Sequence, residues 1–236
     1  MKGALYLIPN TLGSNETKNV LPPLVNEVVN MIRFYIAEDI RTARRFLIKA
    51  GLTNPVDDLT FFVLNKHTNP VELNQFIGKV PDYENIGMIS EAGLPCIADP
   101  GNLAVNIAHE TGRPVKPLTG PSSIFLGLMG SGMNGQHFLF HGYLPVKRDE
   151  RIKAIRKLEQ ESRLLNQTQI FIEAPYRNQK LLEDILATCR DNTRLCLGID
   201  LTTKNEFITT RKIKTWRIDI PDIHKRQVIF LIYQSP

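Results

Sequence analysis

The chain has 236 residues, of which 42% are hydrophobic and 22% charged, and it carries a formal net charge of +5. Such a composition folds rather than staying disordered, and the length suits one large domain or two of ordinary size. No apolar run approaches the roughly 18–20 residues that span a bilayer, and the stretch up to Pro9 is too short for a signal peptide and reads as a first strand. Cys96, Cys189 and Cys196 show no CxxC spacing, which supports neither a disulfide scaffold nor a zinc site. A cytoplasmic enzyme is the expectation.

The charge is unevenly spread. Residues 1–117 hold 11 Lys/Arg against 12 Asp/Glu, net −1, whereas residues 118–236 hold 18 against 12, net +6. A basic second half suits an anionic partner, nucleic acid first. A solvated lysine-rich surface accounts for it equally well.

In chain order, Ala4–Pro9 and Arg33–Ala37 read as strands, and Asp39–Ala50 as an amphipathic helix with Ile40, Ala43, Leu47 and Ala50 on one face and Gly51 as its stop. Thr60–Leu64 is strand-like, Val71–Gly78 helical, Ile86–Ile89 strand, Leu103–His109 helix and Val115–Leu118 strand. That alternation predicts a mainly parallel sheet with helices on its faces. A Pro/Gly cluster near Pro117–Thr119 marks the expected boundary, giving an α/β domain over 1–117 and an α+β domain over 118–236. The second opens with a small apolar helix to about Gly130. Strand Phe138–His141, helix Arg148–Leu164, strand Gln169–Glu173, helix Asn178–Ala187 and strand Arg194–Asp200 follow. Phe207–Arg211 and Gln227–Tyr233 are β-rich with no long helix between them, so this sheet should be mixed.

Several standard motifs are missing: there is no GxxxxGK[ST] phosphate loop, no HExxH, and no GxGxxG after the first strand, where Pro9-Asn-Thr-Leu-Gly13 stands instead. His137 and His141 can share a strand face, but without a third ligand nearby they read as ordinary strand histidines. Four loops each follow an expected strand: Pro9–Gly13, Ala37–Arg41, Ser90–Gly101 and Thr119–Ser123. In a parallel sheet all strand carboxyl ends lie on one edge, so these loops should converge where α/β sheets hold ligands. Ser90–Gly101 carries Glu91 and Asp99, so it suits a cationic or hydroxyl-bearing ligand better than a nucleoside triphosphate. Glu173-Ala-Pro-Tyr-Arg177 follows another strand in the second half.

Five segments, in order, resemble the signatures of the tetrapyrrole (corrin/porphyrin) methylase superfamily of S-adenosylmethionine-dependent methyltransferases. They are Ala37-Glu-Asp-Ile-Arg41, Ser90-Glu-Ala-Gly-Leu-Pro-Cys-Ile-Ala-Asp-Pro-Gly101, Leu118-Thr-Gly-Pro-Ser-Ser123, Phe138-Leu-Phe-His-Gly-Tyr-Leu-Pro145 and Ile170-Phe-Ile-Glu-Ala-Pro-Tyr-Arg177. Within that superfamily the chain is most similar to the branch that methylates a cytidine ribose 2′-hydroxyl of small-subunit ribosomal RNA. The resemblance runs from Leu5 to about Glu206. It implies the two-domain class III methyltransferase fold, with a mainly parallel N-terminal sheet, a mixed C-terminal sheet, the methyl donor in the cleft between the domains, no metal, and homodimers. By motif position it implies that S-adenosylmethionine touches Pro9, Ala92, Gly93, Leu94, Ile97, Thr119, Gly120, Glu173 and Leu201.

A sulfonium-bound methyl group is already electrophilic, so the enzyme mainly aligns the nucleophile and excludes water. A ribose hydroxyl gains from a base, or from a lysine that stabilises the developing alkoxide; Glu91, Asp99, Glu173 and Lys204 are the candidates. Helix Arg148–Leu164, with Arg148, Arg151, Lys153, Arg156, Lys157 and Arg163, either meets RNA phosphates or is a solvated face balanced by Asp149, Glu150, Glu159 and Glu161. The chain departs from the RNA-modifying branch in several places, the first loop among them, with Asn10-Thr-Leu-Gly13 where Thr-Pro-Ile-Gly-Asn is common. It has Asn65-Lys-His-Thr-Asn69 where His-Glu-His-Asn-Glu is usual, and Ile199-Asp-Leu-Thr-Thr203 where Arg-Glu-Leu-Thr-Lys is usual, with Lys204 one place beyond. Two alternatives therefore accompany RNA methylation: a tetrapyrrole methylase, and a non-catalytic RNA- or ribosome-binding paralogue.

Overall fold

The structure is a computed structural model that describes residues 2–14, 16–65 and 67–235; Lys66 of the Asn65–Asn69 segment lies outside the described residues. The chain divides into two compact units, Met1–Ser122 and Ser123–Pro236. Leu118–Ser122 belongs with the first: the Leu118 N–H bonds the Leu7 carbonyl, 3.0 Å away.

The first unit contains β1 (Leu5–Ile8), α1 (Thr17–Val20), α2 (Pro23–Asn30), β2 (Phe34–Ala37), α3 (Ile40–Lys49), β3 (Thr60–Val63), α4 (Pro70–Lys79), β4 (Ile86–Ile89), α5 (Asn102–Glu110) and β5 (Val115–Pro117). Its sheet is wholly parallel, in the order β3-β2-β4-β1-β5. Alternation along each strand sends side chains to opposite faces, so two cores form. Ile8, Tyr35, Ala37 and Ile89 pack with α2 and α3, and Leu5, Ile36, Ile86 and Met88 pack with α4 and α5. The central strand β4 is buried along its whole length, as parallel strands covered on both faces are. Helix starts follow local chemistry: the Asp39 side chain caps α3 by accepting from the Thr42 N–H at 2.8 Å, and Asn69 caps α4 ahead of Pro70.

The second unit contains α6 (Ser123–Ser131), β6 (Phe138–Tyr143), α7 (Arg148–Leu165), β7 (Thr168–Ile172), α8 (Asn178–Thr188), β8 (Arg194–Ile199), β9 (Phe207–Lys212), α9 (Ile213–Trp216) and β10 (Val228–Tyr233). The sheet order is β6-β7-β10-β8-β9; only β6 and β7 are parallel, and the other pairings are antiparallel. On one face Phe171, Leu195, Leu197, Phe230 and Ile232 form a core with α7 and α8. On the other lies α6, whose Gly127 and Gly130 sit so close to Ile229 and Ile208 that a Cβ there would fall 2.9 and 2.2 Å from their side chains. The fold class is thus the expected one, a parallel sheet followed by a mixed sheet. Sequence patterning missed α1, α2 and the short α9. Among the described residues no helix is long and apolar enough to cross a membrane.

Candidate functional site

In the first unit β1 and β4 are neighbours, but the connection from β1 runs across β4 to β2 while that from β4 runs across β1 to β5. Neighbouring strands whose chains leave in opposite directions define a switch point, where α/β sheets leave a crevice for ligands. The loops after these strands are stapled together. Asn10 donates its backbone N–H to the Gly93 carbonyl at 2.8 Å, and its side-chain amide to the carbonyls of Ser90 at 3.0 Å and Glu91 at 3.2 Å. The loop after β5 closes on them too, since a Cβ on Gly120 would lie 2.2 Å from the Pro9 Cβ. Gly93, at φ +67°, takes a left-handed conformation with Leu12 and the Pro121 carbonyl against it. The first turn of α3, which follows β2, joins through the Thr42 hydroxyl, which donates to the Glu91 carboxylate at 2.5 Å.

The Ser90–Gly101 loop is strained. Cys96 and Ala98 hold φ of 67° and 62°, each costing on the order of 1–3 kcal/mol for a residue with a Cβ. Asp99 holds this turn, its Oδ1 accepting from the N–H groups of Cys96 and Gly101, both at 2.8 Å. Its other oxygen, Oδ2, is buried with no hydrogen-bond partner. Glu38, half-buried beside the loop, is held above the usual carboxylate range by burial, then by the charges of Asp99 and Glu91. None of these three carboxylates has a basic side chain in ion-pair contact among the described residues.

In the second unit the carboxyl ends of β6, β7 and β8 share one edge with the start of β10. Glu173, its side chain 1% exposed, directly follows β7; its Oε1 accepts from Arg177 Nη2 at 2.6 Å and the Ala174 N–H at 2.7 Å. After β8, Asp200 and Thr202 take φ of 47° and 69°, and at the entry to β10 Lys225 takes 59°. Asp200 accepts from Arg226 Nε at 2.7 Å and the Gln227 N–H at 3.0 Å, and the Glu206 carboxylate holds the Thr202 N–H at 2.6 Å. Glu173 Oε2, Arg177 Nε, Asn178 Oδ1 and Thr202 Oγ1 are buried here without partners. Buried polar atoms are ordinarily satisfied. Five of the six such atoms among the described residues, and five of the six non-glycine residues with positive φ, fall on these two sheet edges.

The sequence-derived candidates divide cleanly. Glu91, Asp99, Pro9, Ala92, Gly93, Leu94, Ile97, Thr119 and Gly120 all stand on the first edge, with Ile97 45% exposed, Ala92 and Thr119 open to solvent, and Pro9 and Gly93 buried. Glu173, Leu201 and Lys204 stand on the second; Leu201 is buried against Gly198. Sequence reasoning passed over Asn10, Glu38, Thr42 and Arg226 as individual residues. Asn10 and Glu38 lay inside motifs already singled out; for Arg226 the chain offered no signal.

Other candidates have local explanations. His137 and His141 belong to a hydrogen-bonded row with Gln167 and Gln169: His141 Nε2 lies 2.6 Å from Gln169 Oε1, and His137 Nε2 lies 2.9 Å from Gln167 Nε2. Among the described residues no cluster of three or more His, Cys, Asp or Glu is placed to hold a metal ion. Of the basic residues on α7, Arg151 is buried and both it and Arg148 are bonded to Asp184, at 2.6 Å and 3.0 Å. Arg151 thus belongs to the α7–α8 packing and to no open cationic face, whereas Arg148 bonds Asp184 from an exposed position.

The fold is shared with solved structures. The chain matches the methyltransferase CobJ at a TM-score of 0.64 with 12% identity, covering 99% of this chain and 95% of that one. It matches the cobalt precorrin-4 methyltransferase CbiF at 0.59 with 12% identity, covering 98% and 94%. The uroporphyrin-III C-methyltransferase of Thermus thermophilus, complexed with S-adenyl homocysteine, matches at 0.56 with 12% identity over 98% and 92%. The fold is that of the two-domain tetrapyrrole methylases. No protein-family model matches the chain, but curated relatives do. Ribosomal RNA small subunit methyltransferase I of Escherichia coli O157:H7 is 31% identical over 88% of this chain and 68% of its own length, and that of Xylella fastidiosa 30% over 98% and 80%. The Haemophilus influenzae protein of the same name is 29% identical over 100% and 80%. The chain belongs to the ribosomal RNA small subunit methyltransferase I family.

Proposed function

We propose that this chain transfers a methyl group from S-adenosylmethionine to a ribose 2′-hydroxyl of small-subunit ribosomal RNA. The observation that carries the reading is the acidic, strained Ser90–Gly101 loop at the switch point of a parallel sheet, in a chain of this family. The residues fit the donor. Glu38, Glu91 and Asp99 bring negative charge together without a basic side chain in ion-pair contact among the described residues, and the buried Asp99 Oδ2 lacks a hydrogen bond there. A ligand bearing a sulfonium and an ammonium group relieves both conditions.

When bound, the donor supplies a methyl carbon that the ribose oxygen attacks, the C–S electron pair remaining on sulfur as the hydroxyl proton departs. The protein's part is placement. Pro9, Ala92, Gly93, Leu94, Ile97, Thr119 and Gly120 form the donor's bed on the first edge, and the Asn10 staple keeps it rigid. Glu91 is the preferred proton acceptor, because it is exposed and engages only a hydroxyl, whereas Asp99 Oδ1 is committed to two backbone N–H groups. Roles for Glu173, Leu201 and Lys204 toward donor or RNA rest on motif position, and a cytoplasmic homodimer completes the proposal on the same ground.

The test is calorimetry with S-adenosylmethionine, followed by labelled-methyl transfer to small-subunit ribosomal RNA transcribed in vitro and mapping of the label to ribose. Donor-dependent ribose labelling is expected. Donor and RNA binding without transfer would identify a non-catalytic paralogue, and transfer to precorrin-type macrocycles alone would identify a tetrapyrrole methylase.

A further inference from the structure

The second unit contains a hollow of about 580 Å³ that none of the functional assignments above uses; it is lined by Ile199, Asn205, Glu206, Phe207, Pro221 and Arg226. Its size falls within the range of small-ligand sites. The loop over it is held in shape by its own contacts. Ile199 and Phe207 pair across β8 and β9, and the intervening turn carries the two left-handed residues Asp200 and Thr202, with the Glu206 carboxylate on the Thr202 N–H. Arg226 is pre-oriented: Nε donates to Asp200 at 2.7 Å and Nη2 to the Asn205 carbonyl at 3.0 Å, leaving Nη1 without a protein hydrogen bond among the described residues. Phe207, an aromatic ring on a β-strand, is nonetheless 37% exposed.

We infer that this hollow holds one nucleotide of the RNA substrate, with the base against the Phe207 ring and an anionic phosphate toward Arg226. The inference rests on the RNA reading above and adds a subsite to it. The chemistry separates this ligand from the methyl donor. An apolar ring beside a fixed guanidinium suits a stacked base and a phosphate, whereas a cationic donor suits the acidic first edge. Asp200 holds the Nε hydrogen and the Asn205 carbonyl one hydrogen of Nη2, so the guanidinium is fixed in one orientation with Nη1 left for a ligand.

The experiment uses the full chain with Phe207→Leu and Phe207→Trp. Binding of in vitro transcribed small-subunit ribosomal RNA is followed by fluorescence anisotropy, and S-adenosylmethionine binding by calorimetry. Phe207→Leu should weaken RNA binding by at least about fivefold, the lower end of what loss of one base–aromatic stack costs. Phe207→Trp should restore it, and both variants should bind the donor as the wild type does. RNA affinity unchanged in Phe207→Leu overturns the inference while leaving the methyltransferase reading intact. A parallel loss of donor affinity also overturns it, since the hollow would then belong to the donor. A wild-type chain that binds no RNA removes both.

Discussion

The two sheet edges treat their carboxylates in opposite ways. On the second, the two acids that follow β7 and β8 are neutralised in place, Glu173 by Arg177 and Asp200 by Arg226, and, behind the edge, Asp184 is held by Arg148 and Arg151. On the first, Glu38, Glu91 and Asp99 crowd together, and the strain of that crowding appears in Glu38, whose carboxyl is raised by burial and by its two neighbours. Paired charges hold a structure together; unpaired ones of a single sign wait for a counterion. The second unit spends its carboxylates on its own architecture, whereas those of the first suit the cationic donor proposed above.

That contrast can be broken in stages. The largest effect should come from Asp184→Ala, which strands Arg151, only 8% exposed, inside the α7–α8 packing. Removing one partner of a buried pair costs about 3–5 kcal/mol, so thermal unfolding should move down by on the order of 10 °C; an unshifted transition would show that the pair is dispensable. Gly120→Ala comes next. Its Cβ would collide with Pro9, costing about 1–3 kcal/mol in overpacking, and calorimetry should show donor affinity falling with it. Retention of full donor affinity would remove Gly120 from the bed.

Glu38→Gln tests the unpaired cluster itself. A carboxyl whose pKa is raised on folding binds its proton more tightly in the native state. Its contribution to stability is therefore greatest at low pH and is lost as pH rises through that raised pKa. The variant should melt slightly higher than the wild type at neutral pH without donor. It should bind donor more weakly, because one charge of the acidic cluster is gone. In the wild type donor affinity should fall as acid protonates Glu38, and in the variant that dependence should flatten; identical pH profiles would refute the cluster's role. The smallest effect concerns Cys96, whose thiol is pushed up to about 11 by burial and by Asp99. Fewer than about one thiol in a thousand is then ionised near neutrality, so a disulfide reagent should label it slowly until the protein unfolds. Asp99→Asn should speed that labelling.

Much of this was legible in the chain. Strand and helix positions followed from periodicity, and four loops after strands were enough to predict convergence on one edge, because a parallel sheet leaves them nowhere else to go. What periodicity could not supply was side-chain capture across the edge. Asn10 looks like any loop asparagine until its amide is found between Ser90 and Glu91, and Arg226 follows a turn without a motif. Nor does composition distinguish Arg151 from Lys153 on α7: one is buried against Asp184 and the other faces solvent, a matter of helical phase. Left-handed backbone at Cys96, Ala98 and Thr202 was invisible for the opposite reason, since those residue types disfavour it and only surrounding contacts enforce it.

The strand order of the first sheet also sets a timetable. Its neighbours being β4 and β5, β1 has no partner until the chain has been made past Ile89. At ribosomal rates of about 5–20 residues per second, the first strand waits on the order of 4–16 s in unpaired form. During that interval only β2 and β3 can join. The same crossing that brings Asn10 to Gly93 thus makes β1 the strand of its sheet that waits longest for a partner, with an apolar Leu-Tyr-Leu-Ile segment unpaired in the meantime.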